Sequence, residues 1–232
     1  MKIGIQGELG AYSHIAANKL YPNAEIKTCA TFEETFKEAF QDENCKIIIP
    51  IENSLAGRVA DIHYLLPKYK LQIHGEYFLN VEHNLLCKPE ATLDDIQYVR
   101  SHAQAIGQCQ NIINKKNFKS IISVDTAGSA KDLAVGDDKT IAAIASELSA
   151  KIYKLKILEK NIEDEKGNVT RFLIMGKNVE QPEFKEEKKY ITSCIFKLKS
   201  EPSALYKCLG GFATNQINLT KLESFSVKNT FD

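Results

Sequence analysis

Thr170 and Arg171 stand side by side at the polar mouth of an apolar run, Phe172-Leu173-Ile174-Met175, behind Gly167-Asn168-Val169. The run reads as a buried β-strand, so its polar leading end belongs at a sheet edge, where α/β folds place ligands. Side chains alternate across a strand, so Thr170 and Phe172 point to one face and Arg171 to the other. A hydroxyl and a fixed cation are thus offered at neighbouring but distinct positions. Taken alone, Thr-Arg-Phe is also an ordinary strand start with a solvated Arg. Its meaning depends on the company it keeps.

Several other polar clusters follow strands. Lys46-Ile47-Ile48-Ile49-Pro50-Ile51 is a buried strand ending in Glu52-Asn53-Ser54, side chains suited equally to capping a helix and to touching a ligand. Strand Tyr98-Val99-Arg100 leads into Ser101-His102-Ala103-Gln104, with Gln108 and Cys109 beyond; residues 120–124 lead into Asp125-Thr126-Ala127-Gly128-Ser129; residues 140–144 lead to Ser146. Each opens a helix with a capping-type residue, which puts several helix N-termini at one sheet edge, a setting that favours an anion. His102 at a helix start suits a structural hydrogen bond, and also substrate contact or proton transfer. His14, His63, His74 and His83 lack metal-ligand spacing. The six cysteines (Cys29, Cys45, Cys87, Cys109, Cys194, Cys208) form no Cys-x-x-Cys pair, so no metal is expected and the thiols read as reduced and non-catalytic.

The elements that must position these residues alternate strand and helix. The chain opens with a strand from Lys2 to Ile5, a loop Gly7-Glu8-Leu9-Gly10-Ala11, and a helix to about Leu20 that Ser13 is placed to cap. Gly4, Gly7 and Gly10 do not match the dinucleotide fingerprint and no Gly-Lys-Ser/Thr follows, which excludes Rossmann and P-loop readings. Helices are expected over residues 32–40 and 59–66, the second stopping at Pro67. A long extended segment, residues 71–87, then crosses to the second strand–helix series, and the chain returns from Ile157 through Asp164-Glu165-Lys166-Gly167 to deliver Thr170. Two α/β lobes joined by two crossings make a hinged binding fold, hinging on residues 71–82 and 158–164. Lobe one is expected at about 1–75 plus 160–178 and lobe two at about 76–159. Residues 179–189, charged and containing Pro182, read as a linker. Beyond it, residues 190–198 alternate like a strand, 202–213 like a helix and 217–227 like a second strand, about half of a small α/β domain by Asp232.

The 232 residues carry 30 basic and 30 acidic side chains, which cancel, so neither a nucleic-acid surface nor a polybasic membrane patch is expected and any anion must meet a local site. No leader-like start or membrane-length apolar run is present, and a cytoplasmic location is expected.

Five spaced motifs resemble the ordered set of the prephenate dehydratase family: residues 7–13; Pro50-Ile51-Glu52-Asn53-Ser54 with Gly57; Ser101-His102-Ala103-Gln104 with Gln108-Cys109; Asp125-Thr126-Ala127-Gly128-Ser129-Ala130; and Asn168 with Thr170-Arg171-Phe172. The match spans residues 1–178. Residues 190–232 resemble part of a ferredoxin-like (βαββαβ) ACT regulatory domain, through Ser203-Ala204-Leu205 and through Asn218-Leu219-Thr220-Lys221-Leu222-Glu223-Ser224. Ser203 stands where the family often has Gly, and Phe225-Ser226 where many members have Arg-Pro.

The resemblance implies a two-lobed catalytic domain like the type II periplasmic binding proteins, with the active site in the interlobe cleft. It implies a lyase converting prephenate to phenylpyruvate, carbon dioxide and water for phenylalanine synthesis, without cofactor or metal, in a homodimer or tetramer. Arogenate dehydratase is the near alternative, and a non-enzymatic small-anion or amino-acid sensor the distant one. Carried onto this chain, Thr170 donates to the departing ring hydroxyl, with Glu52, Asn53 and Ser54 as catalytic neighbours and Glu52, His102 or water completing the proton relay. Ser101, His102, Gln104, Gln108, Thr126, Arg171 and Phe172 are expected to line the substrate. Ser203, Ala204, Leu205, Asn218, Leu219, Glu223 and Ser224 mark the place of a phenylalanine effector site, whose function in this chain Ser203 and the partial domain put in question. No nucleic acid or membrane partner is implied.

Overall fold

Ile47, Ile48 and Ile49 are all fully buried, because helices cover both faces of the sheet they belong to. The computed structural model describes residues 1–59, 62–178, 183 and 185–224. The chain divides into two compact units, Met1–Glu180 and Gln181–Asp232.

The first lobe of the first unit holds β1 (Lys2–Gln6), α1 (Tyr12–Leu20), β2 (Glu25–Cys29), α2 (Phe32–Gln41), β3 (Cys45–Asn53), β4 (Gly57–Arg58), α3 (Ile62–Tyr69) and β5 (Gln72–Asn80). The second holds β6 (Asn84–Cys87), β7 (Tyr98–His102), α4 (Ala103–Gly107), α5 (Gln110–Lys116), β8 (Lys119–Ser123), α6 (Thr126–Val135), β9 (Ile141–Ala145), α7 (Glu147–Tyr153) and β10 (Lys156–Glu159). The chain then returns as β11 (Val169–Gly176), which enters the first sheet between β3 and β5 and antiparallel to both. The two sheets run β2-β1-β3-β11-β5, with β4 beside β3, and β10-β6-β9-β7-β8.

Strand alternation sorts the first core. Ile48, Phe172 and Ile174 pack with Ile3, Ile5, Ala16 and Ala17 on the α1 side, while Ile47, Ile49, Leu173 and Met175 pack with Phe36, Ile62 and Leu65 under α2 and α3. Each of the larger side chains, Ile, Leu, Met or Phe, contributes about 1.5–3 kcal/mol by leaving water. Two local expectations shift. Ser13 does not cap α1, whose N-cap position is Ala11; its hydroxyl bonds the Gln6 carbonyl instead. Pro67 lies inside α3 rather than ending it.

The lobe boundary also moves. Residues 72–80 form β5, paired along its length with β11, so lobe one extends to Asn80 and not to about 75. A strand held by a full ladder cannot absorb a hinge's dihedral changes, which leaves residues 81–83 and 160–168 as the crossings. These crossings are tied together: the Val81 amide bonds the Asn168 carbonyl at 2.8 Å and the Ile162 amide bonds the His83 carbonyl at 2.9 Å. Asp164 accepts from the Gln110 and Asn111 amides at the start of α5.

The second unit holds α8 (Ala204–Thr214), close to the helix expected at 202–213. The strands expected at 190–198 and 217–227 form no ladder among the described residues, and 225–227 lie outside them. An alternating pattern supplies a face, but a strand exists only once its backbone groups find a partner strand. Ser203 sits just ahead of α8 at φ +67°, the left-handed region that favours glycine. Ala204 and Leu205 open the helix, and Asn218, Leu219, Glu223 and Ser224 are exposed after it. Among the described residues no helix is long and apolar enough to cross a membrane.

Candidate active site

Asn53, the last residue of β3, stands opposite Thr170 in the ladder with β11. Its side-chain oxygen accepts from the Leu55 and Ala56 amides at 3.0 and 2.8 Å, an Asx turn that ends the strand. Backbone N–H groups only donate, so this fixes which end of the Asn53 amide is oxygen. Its NH2 therefore donates to Thr170 Oγ1 at 3.0 Å and to Asn168 Oδ1 at 2.6 Å. The Thr170 oxygen is thus an acceptor from Asn53, and its own proton is matched to no acceptor among the described residues. Thr170 is 8% exposed and Asn168 3% exposed.

From Asn168 the contacts continue into the second lobe. Asn168 Nδ2 donates to Gln108 Oε1 at 2.8 Å, and the same oxygen lies 3.0 Å from His83 Nε2. His83 Nδ1 is 2.7 Å from the hydroxyl of Tyr12, at the start of α1. Burial holds His83 below the usual histidine range, against the opposing pull of Gln108 and Glu163. Burial likewise drives the Tyr12 phenol well above its ordinary range, helped by nearby Cys109, Glu163 and Glu82. The Cys109 thiol is pushed far up by burial and by Asp164 and Glu163, which keeps it protonated and poorly nucleophilic. Tyr12 and His83 are absent from the expected site; Tyr12 lies within the motif at residues 7–13, but nothing in sequence joins it to His83, because they meet across 71 positions. Asn168 is signalled by its place in the motif with Thr170-Arg171-Phe172, which assigns it no partner.

Other expected residues sit elsewhere. Phe172 is 1% exposed in the α1-side core, where it supports the end of β11 from beneath. Arg171 and Glu52 pair across the ladder on the face opposite Thr170. Arg171 bonds Glu76 of neighbouring β5 through Nε at 2.7 Å and Nη2 at 2.6 Å, and stacks on Phe78. Its fork is engaged within one lobe, on the face away from Thr170. Ser54 latches the start of β11, accepting from the Val169 amide at 2.9 Å and donating to the Gly167 carbonyl at 3.1 Å.

At the ends of the second-lobe strands the polar residues serve their own helices. Ser101 is fully buried and donates to the Ile144 carbonyl at 2.7 Å, beneath the cleft. His102 Nδ1 caps α4 by accepting from the Gln104 amide at 3.3 Å, and it makes no contact with Thr170. The Asp125 carboxylate takes the Gly128 amide at the start of α6, next to half-buried Thr126. An acidic cap at that position already answers the positive helix end, so the expected row of open anion-binding N-termini is not realised there.

The lobes also meet at the loop after β1. The Gly10 carbonyl accepts from Ser146 Oγ at 2.6 Å and Ser149 Oγ at 3.0 Å, and Tyr153 donates to the Leu9 carbonyl at 2.9 Å. Gly10 has φ +92°, and a Cβ there would lie 2.8 Å from the Ser149 Cα. Only glycine fits that approach.

A family model described as prephenate dehydratase matches residues 3–180. The chain is 40% identical over 224 residues to arogenate dehydratase/prephenate dehydratase 2, chloroplastic, of Arabidopsis thaliana, covering 97% of this chain and 58% of that protein. It is 38% identical over 234 residues to a bifunctional N-acyl-homoserine lactone acylase/prephenate dehydratase of Komagataeibacter europaeus, covering 99% of this chain and 81% of that one. The chain therefore spans little more than half the length of the plant relative. Among solved structures, the prephenate dehydratase of Arthrobacter aurescens in complex with L-Phe superposes with a TM-score of 0.84 at 24% identity, covering 97% of this chain and 76% of that one. At that identity the likeness speaks for the fold.

Proposed function

The chain belongs to the prephenate dehydratase family, and from that membership we propose that it converts prephenate to phenylpyruvate, carbon dioxide and water in the cleft between its two lobes. The observation that supports this reading is the polarity of Thr170. Asn53 occupies its oxygen as an acceptor, so the one hydroxyl proton is offered to whatever lies in the cleft. Prephenate loses a ring hydroxyl and a ring carboxylate as the ring becomes aromatic, and the aromatisation itself drives the step. What the protein supplies is a donor aimed at the leaving hydroxyl and a dry site that disfavours the ring carboxylate's charge. A threonine is too weakly acidic to be a free proton source at neutral pH, so the Thr170 contribution is positional and electrostatic, with water completing the transfer. In this reading His102, Gln104 and Thr126, at the starts of the second-lobe helices α4 and α6, meet the substrate carboxylates.

Arogenate is a second candidate substrate, favoured by the plant relatives that bear its name. It differs from prephenate by an amino group on the side chain. Incubating the protein with each and following phenylpyruvate by its enol absorbance in alkali, or phenylalanine by chromatography, separates the two. Product from neither would end the dehydratase reading in favour of a binding role.

A further inference from the structure

We infer that His83 is a positioning residue for Thr170, acting through a hydrogen-bond chain whose direction is set at one end by the Asn53 turn and held at the other by the His83 ring; the inference rests on the dehydratase reading. The oxygen and nitrogen of a carboxamide look alike, so their assignment must come from the network. Here the network leaves one solution. The Leu55 and Ala56 amides fix the Asn53 oxygen, so Asn53 presents NH2 to Asn168. Asn168 must answer with its oxygen, which turns its NH2 to Gln108. Gln108 must answer with its oxygen too, and an amide oxygen only accepts. His83 Nε2, 3.0 Å from that oxygen, therefore carries a proton. In the neutral ring Nδ1 is then bare and accepts from the Tyr12 hydroxyl, for whose single proton the Glu82 carbonyl at 2.9 Å competes.

Carboxamides do not relay protons, so this chain sets orientation and not proton supply. Its far end matters because a Gln108 oxygen with one donor fewer is freer to rotate. Rotation of Gln108 lets Asn168 turn away from Asn53, whose NH2 then loses one of the acceptors that aim it, so the Thr170 oxygen it holds is placed less firmly and the hydroxyl loses its aim into the cleft. His83 is 2% exposed, so no water readily substitutes for it. The ring also touches Tyr12 of lobe one and Gln108 of lobe two, and so ties the Thr170 geometry to the arrangement of both lobes.

The test is a double-mutant cycle on the full chain with prephenate, alongside nitrogen-15 NMR of the His83 ring. The expected ring signature is the Nε2–H tautomer. His83→Leu should lower kcat about 10- to 100-fold through misplacement of the Thr170 hydroxyl, with KM changed by no more than about 2-fold. His83→Gln, whose amide can still donate toward Gln108, should recover most of the loss. In a Thr170→Ala background His83→Leu should cost almost nothing further, since the group it positions is gone. If His83→Leu does not fold, Tyr12→Phe, which deletes one oxygen, takes its place in the cycle with a smaller loss. An Nδ1–H tautomer, fully additive losses, or wild-type kcat in folded His83→Leu would each overturn the assignment while wild-type turnover stands. A wild-type protein inactive on both prephenate and arogenate would instead overturn the dehydratase reading, and this role with it.

Discussion

The two sides of the cleft use the same residue types at the ends of strands, and they use them differently. On the first-lobe side Asn53 meets Thr170 and Asn168 across 117 and 115 positions of sequence, and Asn168 reaches across to Gln108 of the second lobe, 60 positions away. On the second-lobe side His102 bonds the amide two residues on, and Asp125 the amide three residues on. Local bonds consume a polar side chain in starting its own helix. Long-range bonds leave a group, here the Thr170 hydroxyl, aimed outward by partners that the rest of the fold holds in place. A polar residue after a strand therefore says little by itself, and the separation of its partners says a great deal.

The sharpest way to break this contrast is to reverse the polarity of the first side without changing its shape. Asn53→Asp keeps an oxygen for the Leu55 and Ala56 amides but offers Thr170 a carboxylate in place of an NH2, so the hydroxyl proton turns inward. Turnover should fall by about 10² to 10³, as it should in Thr170→Ala, because either change removes the donor. Thr170→Ser should keep much of the rate. An Asn53→Asp enzyme within a few-fold of wild type would show that the direction of this bond does not matter.

On the second side the corresponding change should act on stability instead. Asp125→Ala removes the cap of α6 and should cost about 1 kcal/mol in chemical denaturation. Turnover should stay within about 3-fold of wild type, since a capping bond is not itself made to the transition state. A larger kinetic loss with unchanged stability would move Asp125 into the substrate's surroundings.

Arg171 tests the same contrast at the back of the sheet. Its pair with Glu76 is partly exposed, 23% and 31% for the two side chains, so Arg171→Lys should cost at most about 0.5 kcal/mol of stability. KM should hardly move. A rise in KM of about 10-fold would show that the guanidinium reaches substrate in a conformation other than this one.

Proton linkage gives the last and mildest probe. Burial lowers the pKa of His14, His74 and His83 below the ordinary histidine value. Near and below about pH 6.5 the unfolded chain takes up protons at these positions that the folded chain resists. Their contribution to stability is therefore complete above that pH and is lost as pH falls through it toward the folded values. The melting temperature should decline from about pH 7.5 to about pH 5.5, and His83→Gln should flatten part of that decline.

Much of the architecture was legible along the chain. Isoleucines 47–49 and the run Phe172–Met175 are apolar for so long that only strands covered on both faces suit them. The return of the chain to the first lobe through Gly167 followed from where Thr170 had to be delivered. The second unit was less legible, because the alternation in residues 190–198 specifies a face without specifying a partner strand. The structure brings some of the expected site residues together and sends others elsewhere. Asn53, Gln108 and Thr170 do converge, whereas Phe172 is core, Ser101 is floor, and Glu52 and Arg171 share the opposite face.

By itself, then, the sequence determined part of what depends on neighbours within a few residues: that the apolar runs 47–51 and 172–175 are strands, that a capping residue at Asp125 opens a helix, and that Thr170 and Arg171 point opposite ways. Tertiary structure decided what depends on partners far along the chain. Gln108 could be proposed from its motif, but its orientation is fixed only by Asn168 and His83, 60 and 25 positions away. The glycine at position 10 is explained only by Ser149, and Tyr12 gains its role only from His83. The physical reason is that hydrogen bonds are short and directional, so a side chain's role is set by the few atoms within reach, and folding alone brings distant residues within that reach.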